Sequence, residues 1–266
     1  MKSLFLSTWF PEPPDNGSKL RVTYLLRALA KAHEVTLVSF AFATARPREA
    51  DDLRATCKEV HVVSVDPFAV SEAGRLRTFL SPRPLASRPV PAMREMVNDV
   101  LRGDRFDAAI ASTEAMTEYV LQTSPDTAKI LEEHNSMARW MRERYDAQTE
   151  PLQRLRCWAS WQKSCHYEKR RYPCFGLITM VSEIDRAATV AATAPQSVRV
   201  EVVPNGVDCT YNHLGLAQPR PDTIVYNGSL TYSANYDAME YFLAEIYPLV
   251  RKEVPDTTLK ITGSTA

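Results

Sequence analysis

Ser3-Leu-Phe-Leu-Ser-Thr8, then the stretch Ser18–Ala32, then Glu34-Val-Thr-Leu-Val-Ser-Phe40 read together as one strand–helix–strand unit. The two outer runs are short and almost wholly apolar or β-branched, as expected of strands buried on both faces. Between them Leu20, Tyr24, Leu25 and Leu29 fall at i, i+4, i+5 and i+9, which marks an apolar helix face.

The alternation continues along the chain. Further strand candidates are Val60–Val65, Phe106–Ser112, Ala128–Glu133, Leu177–Ser182, Val198–Val203, Thr223–Gly228 and Thr258–Thr262. Helical periods cover Arg48–Cys57, Pro91–Arg102, Glu114–Gln122, Leu152–Tyr172, Glu183–Ala192 and Asn235–Val254. The rhythm predicts an α/β protein in which residues 1–204 form a parallel sheet of about seven strands with helices on both faces. Ser81–Pro91 carries four prolines and is expected as an extended loop. Asn205–Pro221, with Gly206, Gly215, Pro219 and Pro221, reads as an interdomain linker. Only one strand–helix–strand unit follows it, and two parallel strands cannot bury both faces of a sheet. Residues 222–266 are therefore expected to be the beginning of a second, incomplete domain.

Lys plus Arg and Asp plus Glu are both 32, so no net field points to nucleic acid as a partner. The five cysteines are an odd number, widely spaced and without a Cys-x-x-Cys pair, which suggests a reduced, cytoplasmic chain. The apolar run Ser3–Phe10 is too short for a membrane span and leads into prolines rather than a cleavage site. All eight glycines are isolated. Hence there is no Gly-x-Gly-x-x-Gly for a dinucleotide, no phosphate loop ending in Gly-Lys, and no Gly-x-Ser-x-Gly elbow. Asp-x-Asp, His-x-x-x-His and clustered Cys and His are missing too, so no metal is expected.

Open parallel sheets bind ligands in the loops beyond the carboxyl ends of their strands. The first such loop is Pro11-Glu-Pro-Pro-Asp-Asn-Gly-Ser-Lys-Leu-Arg21. Gly17 would let backbone approach a ligand, Ser18 could cap the helix, and free amides at a helix start favour an anion such as a diphosphate. An ordinary Asn-Gly turn before a capped helix explains the same residues. Another strand ends in Glu132-Glu-His-Asn135, and Ser182 with Glu183 closes a third. Asn135 or Ser136 could cap a following helix with His134 packed behind it, and Ser182 could cap Glu183–Ala192.

The first loop with Tyr24-Leu-Leu-Arg-Ala-Leu-Ala-Lys-Ala-His-Glu-Val-Thr-Leu-Val38 resembles the amino-terminal signature of family 4 glycosyltransferases of the GT-B fold. Met180-Val-Ser-Glu-Ile-Asp185, Val203-Pro-Asn-Gly-Val-Asp208 and Tyr226-Asn-Gly-Ser-Leu-Thr-Tyr-Ser-Ala-Asn-Tyr-Asp-Ala238 follow in the family's order, then Pro248 and Ile261-Thr-Gly263. The resemblance implies two Rossmann-like domains, an acceptor-binding one followed by the start of a nucleotide-sugar-binding one. Transfer would take place between them, with retention of configuration and without metal or other cofactor. It implies His134 as a catalytic or sugar-contacting residue with Glu133 as its orienter. Donor contacts would come from Gly17, Ser18, Arg21, Ser182, Glu183, Asn205, Gly228 and Ser229, with Gly17 and His134 facing one cleft. The acceptor would be a polysaccharide, a lipid-linked molecule or a small molecule.

The chain departs from the family after Gly228, where Ser-Leu-Thr-Tyr-Ser carries neither the usual Arg nor Lys, and the family's glutamate pair would lie beyond Ala266. The expectation is a chain inactive by itself. A nucleotide-sugar epimerase of the same fold and a non-catalytic acceptor-binding fragment stay open as alternatives. Arg139–Tyr172 carries nine Lys or Arg against four Asp or Glu, interleaved with tryptophans and tyrosines. Such a helix can lie peripherally on an anionic membrane, here the inner face of the cell membrane. Leu155, Trp158, Trp161 or Gln162, and Cys165 can equally be a core face.

Overall fold

A computed structural model of the protein describes residues 1–43, 45–69, 81–216 and 218–263. Ala217 of the expected linker and residues 264–266 of the expected second domain lie outside the described residues. The chain divides into two compact units, Met1–Gly206 and Val207–Ala266.

The first unit is built on β1 (Lys2–Ser7), β2 (Glu34–Phe40), β3 (Glu59–Val63), β4 (Ala108–Ser112), β5 (Ala128–Glu132), β6 (Leu177–Met180) and β7 (Val200–Val202). They form one sheet in the order β3-β2-β1-β4-β5-β6-β7, and every pairing is parallel. The chain thus starts in the middle, runs outward to β3, and resumes on the other side of β1 with β4. Loops leaving β1 and β4 diverge there, at the switch point where such sheets open a crevice.

Successive side chains of a strand point to opposite faces, and two cores result. Leu4, Leu6, Val38, Phe40, Ala109 and Leu131 pack into one cluster with Met93, Val97 and Val100 of the helix α3 (Pro91–Gly103). Phe5, Val35, Leu37 and Ile110 pack into the other with Val22 and Leu26 of α1 (Gly17–Ala30), and Leu53 of α2 (Asp51–Thr56). The buried stripe of α1 is Val22 and Leu26, with Leu25 and Leu29 partly buried. Leu20 and Tyr24, expected on that face, are exposed. The pattern 22, 25, 26, 29 is a tighter one-face repeat than the one that includes them.

The proline-rich segment is held to the first core. Val90 N donates to Tyr119 Oη at 2.7 Å and Ser87 Oγ to Glu114 Oε1 at 3.1 Å, and Pro91 opens α3 where no amide hydrogen is needed. After β4 come a single helical turn at Glu114–Met116 and the short α4 (Thr117–Val120). After β5 come α5 (Met137–Ala147) and α6 (Pro151–Arg171), and after β6 comes α7 (Glu183–Thr193).

In the second unit β8 (Thr223–Asn227) pairs in parallel with β9 (Thr258–Thr262). The helix expected as continuous over Asn235–Val254 is divided into α8 (Ser233–Tyr241), a π-helical turn at Phe242–Ile246, and α9 (Tyr247–Glu253). Pro248 sits at the start of α9, where its missing amide hydrogen and ring displace the regular ladder. Among the described residues of this unit, Met239 and Thr257 are the buried ones.

Candidate functional site

Asn16, not Ser18, caps α1: its side chain accepts from Lys19 N at 3.0 Å. That leaves the Ser18 hydroxyl to meet Nδ1 of His134 at 3.2 Å across the carboxyl edge of the sheet. His134 follows β5 by two residues and stacks on Trp9, which follows β1, with ring centroids 6.3 Å apart and planes at 22°. Its Nε2 lies 3.3 Å from Glu132 Oε2 but outside hydrogen-bonding direction, so that contact is electrostatic.

Glu132, the last residue of β5, is the hub. Arg21 Nε donates to its Oε1 at 2.5 Å, and Ser112, its register partner on β4, donates to Oε2 at 2.8 Å. Both side chains of the ion pair are buried, with exposures of 6% and 5%. Arg21 also sends Nη1 to Asn205 Oδ1 at 3.1 Å and Pro204 O at 3.4 Å, while its buried Nη2 has no partner. Burial pushes the Glu132 carboxyl upward, but the adjoining His134 and Arg21 outweigh it and hold the group below the usual carboxylate range. A carboxylate fixed this way holds the imidazole of His134 in place at the sheet edge, where it can hydrogen-bond a bound hydroxyl or exchange a proton with it.

Glu133, expected to orient His134, does not. One residue along an extended strand points to the other side, and Glu133 Oε1 instead accepts from Tyr172 Oη at 3.1 Å. There it joins two other buried carboxyls. Glu114 accepts from Ser87, and Glu168 of α6 accepts from Ala138 N at 2.7 Å. Burial lifts Glu114 to about 7 and Glu168 to about 8. Burial, reinforced by the charges of Glu114, Glu132 and Glu168, lifts Glu133 well above the carboxylate range. Thr117 and Tyr167 share a hydrogen bond beside them. This is a sealed, proton-retaining patch behind the site; among the described residues no acidic, His or Cys group is arranged to hold a metal.

Gly17, Ser18, Arg21, His134 and Asn205 therefore belong to one neighbourhood at the sheet edge. An added Cβ at Gly17 would meet no protein atom within 4 Å, so the space over it is open. Ser182 and Glu183 are not joined to the cluster. Ser182 caps α7 by accepting from Asp185 N at 3.2 Å and donates its hydroxyl to Asp185 Oδ2 at 2.6 Å, and Glu183 pairs with Arg186 in solvent. In the second unit Gly228 N donates to Thr262 O, and Ser229 O accepts from Asn235 Nδ2 at 2.9 Å while its hydroxyl meets Thr231. Glu132, Trp9 and Ser112 were absent from the sequence candidates. Parity would have found Glu132, since residues two apart on a strand share a side. A hollow of about 280 Å³ lined by Glu12, Pro13, Pro14, Thr23, Arg27, Arg46 and Asp52 opens elsewhere on the first unit, and none of the candidates lines it.

The first unit is a Rossmann-like parallel sheet of the kind that GT-B glycosyltransferases carry. Sucrose-phosphate synthase from Thermosynechococcus elongatus matches with a TM-score of 0.59 at 13% identity, over 100% of this chain and 71% of that one. UGT2 of Phytolacca americana, solved with UDP-2-fluoro-glucose and pterostilbene, matches with a TM-score of 0.53 at 14% identity, over 100% of this chain and 72% of that one. At such identities the likeness is one of fold. No family model matches the chain, and no curated protein matches it.

Proposed function

We propose that this protein is a metal-independent glycosyltransferase that moves a sugar from a nucleotide diphosphate to an acceptor with retention of configuration. The acceptor, a polysaccharide, lipid-linked or small molecule, is met by the first unit, and the donor's nucleotide by the second around Gly228 and Ser229. The observation that carries this reading is the linked set Ser18, His134, Glu132 and Arg21 at the switch point of a Rossmann-like sheet. His134 contacts the transferred sugar or the acceptor hydroxyl. Glu132, rather than Glu133, supports its charge. The amino end of α1 at Gly17 offers amides and open space to the departing diphosphate. The order of motifs supports family 4 over other families that share the fold.

The 266 residues are expected to be inactive by themselves, so the test is product analysis by mass spectrometry on the whole product of the gene, with a panel of nucleotide sugars and acceptors. Nucleoside diphosphate and glycosylated acceptor should appear together, and His134→Ala should slow the appearance of both by about 100-fold or more while leaving the circular dichroism spectrum intact. Conversion of the nucleotide sugar with no acceptor present would assign an epimerase instead. Failure of every donor to bind would remove the reading.

A further inference from the structure

Helices α5 and α6 form a hairpin whose buried side chains lie near its base: Ala138, Ser164, Tyr167 and Glu168. Toward the turn the side chains open to solvent. Leu152 is 71% exposed, Leu155 56% and Trp158 46%. The core face that Leu155 and Trp158 could have supplied is thus not a core. At 100° per residue, Leu152, Leu155 and Trp158 occupy one third of the circumference of α6, with Arg156 on one flank and Arg154 on the other, while Lys169 and Arg170 fall in line with the stripe further along the helix.

The charge on this helix is one-sided. Its one acidic residue, Glu168, is buried, whereas Arg154, Arg156, Lys169 and Arg170 are exposed. On α5 the acids Glu143 and Asp146 are each paired with an arginine of the same helix, Arg139 and Arg142. The whole chain is formally neutral, so the basic, acid-free face is a local asymmetry. Exposed leucines and a tryptophan flanked by arginines, with lysine and arginine further along the same stripe, suit the boundary between lipid headgroups and acyl chains. A nucleic-acid backbone would use the cations and leave the leucines wet.

We propose that the α5–α6 hairpin docks on an anionic lipid bilayer, with Leu152, Leu155 and Trp158 entering the headgroup boundary and Arg156, Lys169 and Arg170 meeting lipid phosphates. The inference stands independently of the sugar-transfer reading.

Co-sedimentation of the 266-residue protein with vesicles of phosphatidylcholine alone, and of phosphatidylcholine with phosphatidylglycerol, tests it. Binding should require the anionic lipid and weaken as salt rises. Each basic residue near the surface contributes about fivefold in partition coefficient, so Arg156→Gln with Arg170→Gln should lower binding by about 20-fold or more. Leu152→Ser with Leu155→Ser alters side chains already in water, should leave the thermal melt unchanged, and should lower binding at least tenfold. Equal binding to neutral and anionic vesicles, no binding at all, or wild-type binding by both double variants would overturn the proposal. So would concentration-dependent self-association, or binding to single-stranded DNA, that the leucine variant abolishes while vesicle binding persists.

Discussion

Replacing Glu114 by Gln removes a titrating carboxyl from the sealed patch behind the site while keeping an oxygen to accept from Ser87 Oγ. In the folded chain Glu114 titrates at about 7 because it is buried, against an ordinary value of 4.5. Between those pH values the folded state keeps a proton that the unfolded state has released. Stability from this group is therefore fully present below 4.5 and is lost as pH rises through 7. At 1.36 kcal/mol for each pH unit, the loss approaches ~3 kcal/mol. Glu168, at about 8, acts in the same direction over a slightly higher range, and because the buried carboxyls interact their protons leave in shared steps. Urea unfolding followed by circular dichroism from pH 5 to pH 8.5 reads the effect. Wild type should lose stability steadily across that range. Glu114→Gln should lose ~2–3 kcal/mol less, every other titrating group being common to both chains. Two parallel stability profiles would refute the reasoning, since they would mean that Glu114 is ionised, or solvated, in the folded chain.

Arg21→Ala should cost ~3–5 kcal/mol at neutral pH, because it leaves the Glu132 carboxylate buried without its main partner. Glu132 is held below its ordinary range, so the wild-type pair contributes above that range and fades as pH falls; the variant's deficit in urea unfolding should shrink in acid. His134→Ala should lower the transfer rate by about 100-fold or more with a small change in melting temperature, and an unchanged rate would dismiss the residue from the chemistry. Gly263→Ala should unfold the second unit at lower denaturant, because Gly263 has φ +126° and an added Cβ would lie 2.6 Å from Gly228 O. Gly17→Ala should leave stability unchanged and weaken donor binding; a wild-type affinity for the nucleotide sugar would move the diphosphate away from α1.

The sheet was legible because a strand buried on both faces must be apolar along its whole length. Leu4 to Leu6, Val35 to Val38 and Ala109 to Ala111 serve both cores at once, so each stands out as a block of sequence. The order of strands was not legible, since nothing local tells β4 to return beside β1. Helix α5 left little trace because its single buried residue is Ala138, and a helix that buries almost nothing has no apolar stripe to read. The π-helical turn before Pro248 belongs to the same class, being a compromise between a helix that wants to continue and a residue that cannot donate. On α6, pattern and environment parted: Leu155 and Trp158 keep core-like spacing but meet solvent, because the hairpin extends past the body that would cover them.

The site itself turned on which of two adjacent glutamates faces the histidine. Position 133 is nearer in sequence, but a pleated strand makes 132 and 134 neighbours and sends 133 to the far side, where it is sealed beside Glu114 and Glu168. The same geometry revises Arg21. Its charge is matched at 2.5 Å by Glu132, so its long-range pull on a diphosphate is largely cancelled. What it retains is direction: the fork reaches Glu132 through Nε and Asn205 and Pro204 through Nη1, tying α1 and β5 to the segment that leaves β7. Lysine, a single point charge on a flexible stem, could replace one of those contacts but not the set. Arg21 is thus a positioning residue that holds Glu132 beneath His134, and under the proposed function the attraction for a departing diphosphate would fall to the amino end of α1.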